Sequence, residues 1–338
     1  MKVSVIIPIY NVQQYLEECL ASVAAQIFQD FEVVAIDDCS TDDSMSILYS
    51  SLERLHMNME RVRVIRHDHN RGLSAARNTG VHASKGDYVY FLDSDDAITP
   101  DCLQRLVEAS QHRGKDVEMV VGDYRFEGPE LACPHLRVGR TFLNQRGYIR
   151  AYCKERIYPM AWNRLLRRDF LLKNHLLFEE GLIHEDTLWS FQLLPLIHSV
   201  SIVEHETYIY RVRQQSIQTS TAFEKHFKAN AYIVGKMADI MFSTPILQYN
   251  HHVYNFVEQE KRRHLDDCYR NDSTHLIREL YSVCRAHPHY QPWTAILLFG
   301  LNFGTLKRIL KRDMHYCQPF EKGLAMFSHT PISTTKHH

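Results

Sequence analysis

The first hundred residues predict an α/β fold, a mostly parallel sheet flanked by helices. Two observations carry this expectation. Short apolar, β-branched runs alternate with helix-like stretches, and each run ends in polar turn formers. A third observation concerns the rest of the chain: from about residue 216 the pattern is almost wholly helical, which predicts an α-helical C-terminal appendage. The expected division is therefore a domain over 1–215 and a helical region over 216–338.

Val3–Ile9 reads as the first strand, and residues 12–26 carry Val12, Leu16, Leu20 and Val23 at helical spacing. Residues 31–36 repeat the strand signal, and the run from Asp37 to Asp43 ends it in turn formers and a helix cap. A helix over 44–55, a strand over 62–66, a loop over 67–72, a helix over 73–83 and a strand over 88–92 follow; the last runs straight into Asp93. Residues 119–122 read as a further strand. The pattern is then irregular until Trp162, and a helix-rich block extends to Leu194. A last strand at 201–203 leads to Tyr208, Tyr210, Arg211 and Arg213. Ligands of open α/β sheets bind beyond the carboxyl ends of the strands, so the polar loops after the second, third and fourth strands converge on one edge.

Composition narrows the function. With 338 residues, 45% hydrophobic and 23% charged, the chain is long enough to bury a core and falls in the globular range. The 39 Lys and Arg against 40 Asp and Glu leave no basic field, which argues against a nucleic-acid partner. The eight cysteines (19, 39, 102, 133, 153, 268, 284 and 317) are dispersed without CxxC pairs and read as reduced thiols of a cytosolic protein. Met1-Lys2 leads directly into a strand, without the apolar core of a signal peptide, and no run reaches the ~18 apolar residues of a membrane span. The expected location is the cytoplasm.

Three segments carry chemistry. Asp93-Ser94-Asp95-Asp96 places three carboxylates within four residues after an apolar, aromatic strand, and such charges repel unless a cation neutralises them. Oxygen ligands favour Mn2+ or Mg2+ bridging to phosphates; a solvated turn with a helix cap is the plainer reading. Asp37-Asp38 suits a base N–H or a ribose hydroxyl, or a capping turn. In the segment 70–78 a glycine precedes a helix of small residues, and Arg77 either reaches a diphosphate with its fork or pairs with a nearby carboxylate. There is no GxGxxG after the first strand, no GxxxxGK[ST], and no HExxH among the 21 histidines.

The runs Val3-Ser4-Val5-Ile6-Ile7-Pro8-Ile9-Tyr10-Asn11, Asp37-Asp38-Cys39-Ser40-Thr41-Asp42, Gly72-Leu73-Ser74-Ala75-Ala76-Arg77-Asn78-Thr79-Gly80 and Phe91-Leu92-Asp93-Ser94-Asp95-Asp96 resemble, in order, the motifs of family 2 glycosyltransferases. One departure is Cys39, where glycine is more usual. The resemblance implies the GT-A fold with its Rossmann-like sheet, transfer of a sugar from a nucleotide-sugar donor with inversion, and Mn2+ or Mg2+. It implies that Pro8 and Tyr10 line the base pocket, that Asp38 contacts the base, that Asp93 and Ser94 lie near the ribose, and that Asp95, with Asp93, ligates the metal. Arg77 would lie near the phosphates. Apart from the resemblance, Arg213 after the last strand either closes over the donor phosphates or belongs to a solvated basic edge. Glu185-Asp186 is similar to the family's acidic pair; Asp186 is assigned as general base, with Glu185 as fallback.

Other signals stay open. Trp162 and Asn163 suit an acceptor pocket or the core. Residues 291–312 are apolar with a basic end at Lys307, Arg308, Lys311 and Arg312. That stretch fits peripheral association with the inner face of the cytoplasmic membrane, or a packing or homodimer contact. The expected acceptor is a glycan or lipid-linked glycan in surface polysaccharide synthesis. A nucleotidyltransferase or a non-catalytic sugar-nucleotide-binding module are the rival readings. The first would carry a Gly- and Lys-rich phosphate loop after strand one, and the second would lack the metal and base carboxylates.

Overall fold

The structure is a computed structural model that describes residues 2–129, 135–212 and 223–270. Its first half is a run of βα units: β1 (Val3–Ile9), α1 (Leu16–Ala24), β2 (Phe31–Asp37), α2 (Ser44–Arg54), β3 (Val62–Arg66), α3 (Leu73–Ala83) and β4 (Tyr88–Phe91). These four strands are parallel in the order β3-β2-β1-β4. Every residue of β1, β2 and β4 is buried, because helices cover both faces, and this is why these strands read as unbroken apolar runs. After β3 the chain returns to the other side of β1, and a crevice opens at the carboxyl ends where the order reverses.

The second half comprises β5 (Ala97–Ile98), α4 (Cys102–Ala109), β6 (Gln111–His112), β7 (Lys115–Asp116), β8 (Met119–Glu127), β9 (Phe142–Asn144), α5 (Gln145–Cys153), β10 (Arg164–Arg167), α6 (Arg168–Lys173), α7 (Glu185–Leu193) and β11 (Ser199–Arg211). The sheet continues from β4 through β10, β8 and β11 to β5, and β9 pairs with β11. Here the mostly parallel expectation gives way to a mixed arrangement. β10 is antiparallel to both β4 and β8, whereas β8 and β11 are parallel.

β10 falls inside the block read as helix-rich. Arg164-Leu165-Leu166-Arg167 has neither a helical nor an alternating period, and its strand state comes from ladder partners on both sides. The two segments read at 201–203 and 208–213 belong, as far as Arg211, to the single strand β11, whose register shifts between Val203 and Glu206 and again between Glu206 and Tyr208. Those irregularities hid the strand from pattern reading.

Three helices follow: α8 (Phe223–Ser243), α9 (Pro245–Gln248) and α10 (His251–Arg270). The chain divides into one compact unit of 1–222 with 243–256 and another of 223–242 with 257–338. In the second unit α8 buries Phe227, Ala231, Val234, Met237, Ala238 and Met241, an apolar stripe at three- and four-residue spacing. Among the described residues no helix is long and apolar enough to cross a membrane. The stretch 291–312 and Arg213 lie outside the described residues. Cys19, Cys39, Cys102 and Cys153 are free thiols, and all but Cys39 are buried.

Candidate active site

The motif that opens α3 explains itself residue by residue. Asp38, buried at the end of β2, accepts the backbone N–H groups of Arg71 at 2.9 Å and Gly72 at 2.7 Å. It also meets His67 Nδ1 at 2.6 Å, and Nε2 of that ring meets Thr79 Oγ1 at 2.9 Å. Asp38 thus ties the 67–72 loop to the β2 edge. Gly72 has φ +87°, a conformation that side chains resist, at the entrance to the helix. Asn78 donates to the carbonyl of Phe178 and accepts its N–H, both at 2.8 Å, which fastens α3 to the segment preceding α7. Gly80 lets α3 press onto β1: a Cβ there would stand 2.3 Å from Ile6 Cγ2.

The ends of β1 and β2 face one another through paired turns. Pro8 is buried in β1, whereas Tyr10 just beyond it is 46% exposed. Asn11 Oδ1 accepts the N–H of Thr41 at 2.8 Å. Cys39 has φ 63°, so the position calls for a left-handed backbone, which accounts for the glycine more usual there.

The acidic turn divides its carboxylates between two tasks. Asp96 is 1% exposed; it accepts the Tyr208 hydroxyl at 2.7 Å and the Arg211 N–H at 2.8 Å, and so joins the turn to β11. Burial, reinforced by Asp95 and Asp93, holds its carboxyl well above the usual range. Trp162 stacks on Tyr208 at 4.5 Å and is itself buried, and Asn163 is a buried partner of Tyr90 and Thr207; both residues serve the core. Ser94 is buried, and Asp93 and Asp95 are half-buried. The Arg211 side chain reaches back over the turn to Glu127 and Glu18, each at 2.7 Å.

Arg77 brings the remaining candidates together. Its guanidinium is 1% exposed and lies over the Phe178 ring, 5.2 Å from the centroid. Nη2 donates to Asp93 Oδ1 at 2.8 Å, and Nη1 donates to Glu185 Oε1 at 2.8 Å and Asp186 Oδ1 at 2.6 Å. Of the two partners open to Arg77 in the sequence, the carboxylates are the ones it meets. Asp186 Oδ2 accepts the N–H of Ala161 at 3.1 Å. Glu185 and Asp186 form the first turn of α7, where the helix dipole favours anions, behind His184 with φ 61°. Burial and the adjacent Asp186 push the Glu185 carboxyl up to about 8 despite Arg77.

The Arg77 guanidinium thus gathers the carboxylates of Asp93, Glu185 and Asp186, while Arg211 meets the Asp96 carboxylate through its backbone N–H and the Asp95 backbone carbonyl through its guanidinium. The all-oxygen donor set of the turn, with Asp93 and Asp95 half-buried there, fits a hard divalent cation such as Mn2+ or Mg2+. Among the described residues no group of three or more His, Cys, Asp or Glu closes a cage. A cation at the turn would therefore complete its shell with phosphate or water oxygens.

Residues 4–173 match the family described as Glycosyl transferase family 2. The chain belongs to this family. Among its relatives, the putative glycosyltransferase EpsH of Bacillus subtilis (strain 168) is 30% identical over 223 residues, which cover 64% of this chain and 62% of EpsH. GlyG of Streptococcus pneumoniae serotype 4 is 27% identical over 64% of this chain and 72% of its own length. The fold is shared with residues 1–349 of Staphylococcus aureus TarS in complex with UDP-GlcNAc, at TM-score 0.63 and 22% identity over 79% of this chain and 73% of that one. It is shared also with the Pyrobaculum calidifontis mannosyltransferase PcManGT in complex with GDP-Man and Mn2+, at TM-score 0.51 and 16% identity over 92% and 88% of the two chains. This is the GT-A fold, as the motifs implied.

The sequence alone assigns no task to His67, Asn78 and Asp96 of this family 2 chain. Asp96 and Asn78 lie inside the motifs that were read, but their partners Tyr208, Arg211 and Phe178 are 100 or more residues distant. His67 carries no local signal beyond its place in a loop.

Proposed function

We propose that this protein is a metal-dependent inverting glycosyltransferase that moves a hexosyl or N-acetylhexosaminyl group from a UDP-sugar to a hydroxyl of a glycan or lipid-linked glycan. The observation that carries the reading is the buried guanidinium of Arg77, 2.6 Å from Asp186 and 2.8 Å from Asp93. It joins a base-bearing helix to the acidic turn at the crevice where such sheets bind nucleotides. The UDP and UDP-GlcNAc complexes of TarS support the donor, and the name of that protein, a poly(ribitol-phosphate) beta-N-acetylglucosaminyltransferase, supports a polymer acceptor.

In this reading Asp186 is the general base. Its carboxylate, held by Arg77 and the Ala161 N–H, takes the proton of the acceptor hydroxyl as that oxygen attacks the anomeric carbon opposite the leaving nucleotide diphosphate. One displacement inverts the centre. Tyr10 offers an exposed ring for the base beside Pro8, Asp38 stands at that pocket, and Asp93 and Ser94 face the ribose. Asp95, with Asp93, would hold Mn2+ or Mg2+, which when bound offsets charge developing on the diphosphate. Arg213 is assigned to the donor phosphates. Peripheral membrane association and a homodimer stay part of the proposal through residues 291–312.

The experiment is a panel of nucleotide sugars incubated with Mn2+ or Mg2+, with released nucleoside diphosphate as the readout. Release from at least one UDP-sugar, abolished in Asp95→Ala, is expected. No release from any donor, or full activity in Asp95→Ala, refutes the proposal.

A further inference from the structure

We propose that Arg77 is a positioning residue for the transfer step: its guanidinium sets Asp186 and Asp93 relative to each other and does not bind the donor phosphates. The inference rests on the function proposed above and deepens it.

Both Nη atoms are engaged, Nη2 by Asp93 and Nη1 by Glu185 and Asp186, at 2.6 to 2.8 Å. The side chain is 1% exposed and covered on one face by Phe178. Swinging it toward a phosphate would break three charge-assisted hydrogen bonds and strand half-buried and buried carboxyl groups without their cation, the costly way to disrupt a buried ion pair. The acceptors also differ in sequence separation, 16 residues for Asp93 and 108 and 109 for Glu185 and Asp186, so one rigid fork spans the acidic turn and the first turn of α7.

The support behind the fork is equally fixed. Asn78, the next residue of α3, holds Phe178 by two 2.8 Å hydrogen bonds, so the helix carrying Arg77 is tied to the segment leading into α7. Asp186 Oδ2 rests on the Ala161 N–H at 3.1 Å. The base is thus oriented by two donors from different elements, while the same guanidinium holds Asp93 at the metal turn. The group that takes the proton and the group that faces the donor keep one separation because one planar side chain touches both. A general base displaced by about 1 Å loses on the order of a hundredfold in rate.

The test is a kinetic cycle with Arg77→Lys, Asp186→Asn and the double variant, read as kcat and donor KM, with UDP affinity measured by calorimetry. Lysine keeps the charge and lacks the planar fork. Arg77→Lys is expected to lower kcat by about a hundredfold while UDP affinity stays within about threefold, and the kcat loss should shrink to less than about fivefold when Asp186 is already asparagine. Equal losses in both backgrounds, or a UDP affinity lowered about tenfold with kcat retained at saturating donor, overturn the inference and return Arg77 to the phosphates. If Arg77→Lys fails to fold, Arg77→Gln, which retains donor amides, enters the same cycle. A wild type that transfers no sugar overturns the proposed function and this inference together, whereas an active wild type with the wrong cycle overturns this inference alone.

Discussion

Replacing Asp186 with asparagine separates the chemical from the structural task of that carboxylate. Its two oxygens accept from Arg77 at 2.6 Å and from the buried Ala161 N–H at 3.1 Å. The amide can keep one oxygen on Arg77, but its NH2 then faces the Ala161 N–H, donor against donor. One buried donor loses its partner, a cost of about 1–3 kcal/mol. For a chain of this size that lowers Tm by roughly 2–10 °C. Loss of the general base should lower kcat by about 10²–10⁴-fold, equivalent to roughly 3–5 kcal/mol of barrier. Donor KM should barely move, because the base faces the acceptor. Steady-state kinetics with thermal melting reads both effects on one sample. A folded Asp186→Asn variant with kcat within about threefold of wild type would refute the assignment of the base, since removal of such a group costs at least about a hundredfold.

Two further substitutions test neighbouring features. Glu185, whose folded-state carboxyl is pushed up to about 8, holds a proton at pH values where the unfolded chain has lost it. The folded state binds more protons between about pH 4.5 and that value. The contribution of Glu185 to stability is therefore fully present below this window and is lost as the pH rises toward 8. Glu185→Gln does not titrate, so its Tm should gain on wild type from pH 5 to pH 9, read by melting curves in matched buffers; a difference that is flat or falls with pH contradicts the burial-driven shift. Gly80→Ala would place its Cβ 2.3 Å from the stiff, fully buried Ile6 side chain. It should destabilise by about 1–3 kcal/mol, measured by denaturant titration; an unchanged midpoint contradicts the close packing of α3 on β1.

Much of this architecture was legible because its local pattern and its environment agree. β1 and β2 are buried on both faces and read as apolar runs, and the polar loops that follow them fall at the sheet edge by topology. The candidate site was legible as separate pieces. Asp93, Asp95 and the Glu185-Asp186 pair stand out in the sequence as candidates, but which of them meet does not, since the meeting is made by Arg77 across up to 109 residues. For the same reason Arg77 could be read toward either a phosphate or a carboxylate. β10 was lost because it buries the arginine Arg164 at 0% exposure, held by Ser190 Oγ at 2.9 Å, and no local hydrophobic period announces such a strand. β11 was split in two by its register shifts.

The central claim, that the crevice beside Asp93–Asp96 binds a nucleoside diphosphate through a divalent cation, can be measured without knowing the acceptor. Calorimetric titration of UDP into the full chain should show affinity at least about tenfold higher with Mn2+ than with EDTA, and Asp95→Ala should abolish that gain, because a cation bridging carboxylate and phosphate stabilises only when both are present. UDP binding that is indifferent to the metal, or a metal-dependent gain that survives Asp95→Ala, would contradict it.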